Sequence, residues 1–230
     1  EIHIHDLDFY ATGTLTCCQT DPLQLFDNGG FNTGHGHLRT PNSIGSYGAL
    51  AAIILQANQN EQHGGQSIPN FDYAMAPGVN KSYRKALKNN LKKYNDFTGN
   101  SLAVEIPEDA EYGKDVAKLQ ELGIPESVIK DANEDVEKQT FQAMEGFIHN
   151  LNTMHSRAGA QVPFTSINFG TDTSEAGRLV SKALLDATEA GLGHGETPIF
   201  PISIFKVKEG VNYNPEDINN DLFKRSMEVS

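Results

Sequence analysis

Short β-prone runs separated by long helix-prone stretches constrain this chain more than any other feature. Gln161–Phe169 and Ile199–Val207 are rich in β-branched and aromatic residues, and each carries a proline that fits best near a strand end. Thr12–Gln19 is a third strand candidate. Four stretches of helical character accompany them. Pro41-Asn42-Ser43 caps a helix over residues 42–62 with Ala49, Ala51, Ala52, Ile53, Ile54 and Leu55 inside, and His63-Gly64-Gly65 reads as the turn that ends it. A second helix, over residues 81–95, repeats Tyr83, Leu87, Leu91 and Tyr94 at helical spacing and has a basic opposite face. A third covers about Pro125 to Ser156, with Val136, Met144, Phe147 and Leu151 in its apolar set. A fourth follows Thr173-Ser174-Glu175 and closes at Gly191-Leu192-Gly193. Parallel strands need long crossovers, so strands alternating with helices imply an α/β architecture with a mainly parallel sheet.

The 230 residues suffice for a sizeable core, and 38% hydrophobic residues with 12 Phe and 7 Tyr exclude a disordered chain. The formal charge of -12 argues against broad nucleic-acid coating or an anionic-membrane partner; a bound phosphate must be held by a local basic site. The densest such site is Lys81, Arg84 and Lys85. The acids crowd into residues 101–140, which read as a solvated excursion with short helices. No apolar run approaches the roughly 20 residues of a membrane span, and the opening Glu1-Ile2-His3-Ile4-His5-Asp6 lacks a basic secretory start, so a cytoplasmic location is expected.

Chemistry-bearing residues are few. Cys17 and Cys18 are neighbours, which on a strand point to opposite faces, so a routine structural disulfide is a poor expectation and a four-sulfur zinc site is impossible. A buried pair, a metal ligand with a distant partner, and a redox thiol facing a pocket all remain open. His3 and His5 share a face if extended, with Asp6 and Asp8 following. They suit a metal, as on the first strand of a zinc-hydrolase barrel, or hydrogen bonding to substrate or core. His35, His37, His63, His149, His155 and His194 form no second spaced motif. Gly34-His35-Gly36-His37 and His63–Pro69 are glycine-containing turns that could offer amides to phosphate, but neither is a P-loop, and helix termination is their plain reading.

Taken in order, Ile2–Asp8, Cys17-Cys18-Gln19-Thr20-Asp21, Gly34-His35-Gly36, Pro41–Ile44, His63–Pro77, Asn152–Phe164, Ile167–Gly170 and Gly191–Gly193 resemble the anaerobic (class III) ribonucleoside-triphosphate reductases over nearly the whole chain. The resemblance implies a ten-stranded α/β barrel of the glycyl-radical type, built from two five-stranded parallel halves running antiparallel. Residues 1–230 would be its first half, as a single segment carrying the acidic excursion near 101–140. An ATP-cone would precede Glu1. The finger-loop cysteine, a cysteine-ligated zinc site and the glycyl-radical loop would follow Ser230, so this segment alone is expected to be inactive.

The implied chemistry begins with a glycyl radical installed by an S-adenosylmethionine-dependent iron–sulfur activase. It generates a thiyl radical on the finger-loop cysteine, which takes the ribose 3′ hydrogen. A second barrel cysteine, four residues before an Asp, serves the 2′ side; this selects Cys17, ahead of Asp21, as the catalytic thiol. Formate or a dithiol supplies the electrons. His3 and His5 match positions lining the same pocket and would bind substrate or formate, and no metal is expected in this segment. The helices at 42–62 and 81–95 resemble a pair through which two subunits pack and between which a deoxynucleoside triphosphate or ATP effector binds. Lys81, Arg84 and Lys85 would meet its phosphates. The expected partners are a ribonucleoside triphosphate, the effector, the activase and a second copy of the chain, with no membrane and no nucleic acid. Two alternatives of other classes stand beside this: a non-catalytic dimerisation and effector-binding module, and a zinc hydrolase built on His3 and His5.

Overall fold

The computed structural model describes residues 16–99, 101–114, 116–156 and 161–229. In chain order these form β1 (Thr16–Gln19), α1 (Pro22–Asp27), β2 (Gly30–Asn32), β3 (His37–Arg39), α2 (Ile44–Glu61), β4 (His63–Ile68) and α3 (Phe71–Thr98). There follow α4 (Val116–Glu121), α5 (Glu126–Thr153), β5 (Thr165–Phe169), α6 (Glu175–Ala190), β6 (Ile202–Phe205) and α7 (Asn220–Val229). β1, β4, β5 and β6 make a four-stranded sheet in that order, every neighbouring pair parallel. β2 and β3 form a separate antiparallel pair. The mainly parallel α/β expectation holds.

The capping signals act as read at the start of α2. The Ser43 hydroxyl accepts the Ser46 N–H while the Ser46 side chain accepts the Ser43 N–H, which satisfies two of the helix's orphan donors. α3 differs from the expected 81–95: it begins ten residues earlier and runs through Pro77. Proline removes a donor and normally breaks a helix, so Pro77 hid the first turns. α3 nevertheless persists because Phe71, Ala74, Met75 and Val79 are fully buried on its inner face. Phe71 stacks on Phe147 of α5 with ring centroids 4.9 Å apart.

A second difference concerns His63–Pro69. The expected turn is β4, an inner strand pairing with β1 on one side and β5 on the other. Its two glycines leave no alternation to read, while the buried Gln66 and Ile68 give it an inward face. The acidic stretch also divides. Residues 101–124 cross the helix layer, anchored by buried Ile106, Ala110, Leu119 and Ile124, and residues 126–140 are the first half of α5.

The long helices pack on one another, with α5 between α2, α3 and α6. They cover one face of the sheet. Along β5, Thr165, Ile167 and Phe169 are buried while Ser166 and Asn168 between them are half-buried. Paired residues of parallel strands share a face. Ser67, Ser166 and Ile202 therefore form one row of the other face, and Asn168 and Ile204 part of the next. That face is polar near β4 and β5 and apolar at β6, where Ile202 and Ile204 are exposed.

Candidate active site

Parallel sheets bind ligands beyond the carboxyl ends of their strands, and here that rim is tied together from β1 to β6. The Thr20 N–H donates to the Ser67 carbonyl at 2.8 Å, and the Asn58 amide donates to the Thr20 hydroxyl at 2.9 Å. Asp21 caps α1 by accepting the Leu23 N–H at 3.0 Å. Asp72, in the first turn of α3, is fully buried. Its Oδ2 accepts the N–H groups of Gly170, Thr171 and Asp172 at 2.8, 3.0 and 2.9 Å, and its Oδ1 accepts the Tyr73 N–H at 3.1 Å. Three successive donors converging on one carboxylate oxygen fix the turn after β5, and the N-terminus of α3 favours the negative charge. Asn212 and Asn219 donate to the Gly170 carbonyl from the other side, and the Lys206 ammonium donates to the Pro69 carbonyl at 3.0 Å.

Asp172 is buried beside this clamp. Burial pushes its carboxyl above the ordinary range, hydrogen bonds to Ser174 pull it back, and the nearby Asp72 adds to the rise. Asp72 and Asp172 were not singled out in the sequence, because a lone acid near a helix start reads as an ordinary first-turn acid.

The strand argument expects Cys17 and Cys18 on opposite faces, but β1 is irregular at this point. Both are free thiols. Cys18 pairs in register with Gln66 on the helix-covered side, and its sulfur lies 3.7 Å from the Gln19 carbonyl and 3.9 Å from the Thr20 hydroxyl. Cys17 is exposed, in a left-handed backbone conformation (φ 48°), at a slip in the β1–β4 register. His3 and His5 lie outside the described residues.

Lys81, Arg84 and Lys85 lie on α3, about 14–20 Å along the helix axis from Asp72. They are not gathered as an open basic patch. The Lys81 ammonium donates to the Pro41 carbonyl and the Tyr47 hydroxyl, both at 3.0 Å, and joins α3 to the start of α2. Arg84 donates to the Ala110 carbonyl at 2.9 Å, which ties α3 to the acidic crossing. Lys85 is exposed. Among the described residues, no group of three or more His, Cys, Asp or Glu could hold a metal, and no helix is long and apolar enough to cross a membrane.

These features define an α/β segment with a parallel sheet, a reinforced strand-end rim and an exposed thiol on the first described strand. The chain belongs to the anaerobic ribonucleoside-triphosphate reductase family, whose sequence model matches residues 1–230. Proteins named anaerobic ribonucleoside-triphosphate reductase are 32% identical in enterobacteria phage T4, 30% in Haemophilus influenzae and 28% in Escherichia coli, each over all of this chain. The chain spans 33%, 28% and 28% of those relatives, about a third of their length. Family membership leaves the zinc-hydrolase alternative without support.

Proposed function

We propose that this chain is the N-terminal part of the catalytic barrel of an anaerobic ribonucleoside-triphosphate reductase and supplies Cys17 as the thiol on the 2′ side of the ribose. The observation that carries the reading is the family match across the whole chain, joined to an exposed Cys17 on β1, the first strand in the sheet order. Four neighbouring parallel strands with helices packed on one face support a half-barrel, since β1 and β6 each have one paired edge among the described residues and a second such half could close the sheet edge to edge.

In this reading the longer enzyme's glycyl radical makes a thiyl radical on the finger-loop cysteine, which takes the ribose 3′ hydrogen and returns it at the end of the cycle. Cys17 then transfers its S–H hydrogen to the ribose as the protonated 2′ hydroxyl leaves as water, and formate or a dithiol provides the two electrons overall. A thiol suits the step because its S–H bond is weak enough to yield hydrogen to a carbon radical, as a serine hydroxyl is not. The rim held by Asp72 would keep the strand ends rigid against the reacting sugar. His3 and His5 would line the same pocket. α2 and α3 would pack against a second copy, with an effector triphosphate meeting Lys81, Arg84 and Lys85; for Arg84 this means a guanidinium already oriented by the Ala110 carbonyl.

The test is Cys17→Ala in the full-length enzyme. Deoxynucleotide formation should fall below detection while the glycyl-radical signal, read by electron paramagnetic resonance, stays near wild type. Retained turnover would remove Cys17 from the reaction.

A further inference from the structure

Gly64 and Cys17 meet across the β1–β4 pairing in a way that regular parallel strands do not produce. Thr16 pairs with His63 and Cys18 with Gln66, so β4 runs one residue further than β1 over the same span. The extra length falls opposite Cys17. Cys17 is the only non-glycine with positive φ among the described residues, and Gly64 beside it has φ 83°. A Cβ built on Gly64 would stand 2.8 Å from the Cys17 sulfur and 2.8 Å from the Cys17 nitrogen, well inside contact distance. Gly65 is different. Its Cβ would meet only the Phe164 carbonyl oxygen, at an ordinary 3.6 Å.

Bulges re-aim side chains, and left-handed residues other than glycine persist only where their surroundings hold them. We infer that Gly64 is a positioning residue for the Cys17 thiol: its missing side chain lets β4 close on the sulfur and holds the S–H in one direction at the exposed strand. The inference rests on the role proposed for Cys17. A thiol that delivers a hydrogen atom must meet one carbon at contact distance, and a misplacement of about 1 Å costs on the order of 10²-fold in rate.

The experiment compares Gly64→Ala, Gly65→Ala and Cys17→Ala in the full-length enzyme. Gly64→Ala should lower kcat on the order of 10²-fold with KM within about twofold and an unchanged glycyl-radical yield. It should also shift the iodoacetamide alkylation rate of Cys17, read by peptide mass spectrometry, by at least about threefold while Cys18 keeps its rate. Gly65→Ala should stay within about twofold of wild type in all of these. Gly64→Ala indistinguishable from Gly65→Ala overturns the inference. An active Cys17→Ala would instead remove the role of Cys17, whereas an inactive Cys17→Ala beside a normal Gly64→Ala removes the positioning alone. If Gly64→Ala does not fold, adding Cys17→Gly removes the sulfur contact and the left-handed strain at residue 17 but leaves the contact with the residue 17 nitrogen, so it should recover part of the lost stability in urea denaturation; no recovery at all overturns the inference as well.

Discussion

Asp172 shows how one buried group links this fold to pH. Its carboxyl is held above the ordinary range by burial first and by the charge of Asp72 last. The folded state therefore binds more protons at this position than the unfolded chain, whose value is about 3.9. Its contribution to stability is fully present below that value, declines as pH rises towards the raised folded value, and is lost above it. Asp186 runs the other way: burial pushes its carboxyl up, but hydrogen bonds from Lys182 and Arg225 outweigh burial and hold it low. The stability it contributes is lost as pH falls. Asp172→Asn separates the two effects, because only the first changes. The variant should gain stability relative to wild type between pH 4 and pH 7, measured by urea denaturation across pH. A difference that does not vary with pH would show that Asp172 titrates as an exposed acid.

At the scale of elements, the helix layer depends on close approach. The Tyr47 ring of α2 lies so near Gly78 of α3 that a Cβ there would stand 2.8 Å from ring carbons Cγ and Cδ2. Tyr47 has little room to yield. It is buried, packed edge-on against Phe26 at 5.0 Å, and accepts a hydrogen bond from Lys81. Gly78→Ala should therefore force α2 and α3 apart, and overpacking of this kind costs roughly 1–3 kcal/mol. The check is the urea midpoint; an unchanged midpoint would show that the ring swings aside freely. Because these two helices are the pair proposed to meet the second subunit, the same variant should weaken dimerisation of the full-length enzyme.

For the whole molecule, the decisive feature is a sheet that ends without cover. Ile199, Ile202, Ile204 and Val207 are 72%, 57%, 42% and 51% exposed along and beside β6, a strand with one paired edge among the described residues. An apolar edge with unpaired backbone groups invites another strand. Residues 1–230 on their own should self-associate with rising concentration in sedimentation velocity. Ile204→Lys should weaken that association by about tenfold or more, given the roughly 1.5–3 kcal/mol of burying such a side chain. A monomer at all concentrations, with or without the substitution, would mean that this edge does not pair.

The sequence by itself determined the α/β class, the cap at Ser43, the amphipathic stretches that became α2, α5 and α6, and the family. These depend on local periodicity and on motifs that stay in order along the chain. It also made Cys17 and Cys18 the thiols to examine. What only the tertiary structure decided is where long-range contacts overrule local preference. β4 was hidden by glycines and exists because it completes the ladder between β1 and β5. The first turns of α3 were hidden by Pro77 and exist because Phe71 and Met75 bury their side chains there. Lys81 and Arg84 looked like an open basic face, yet backbone carbonyls at Pro41 and Ala110, far away in sequence, accept their donors. The Asp72 clamp joins residues about a hundred positions apart, and the meeting of Gly64 with Cys17 follows from a register slip. A sequence records no strand register, so contacts of this kind become definite only when the sheet is assembled.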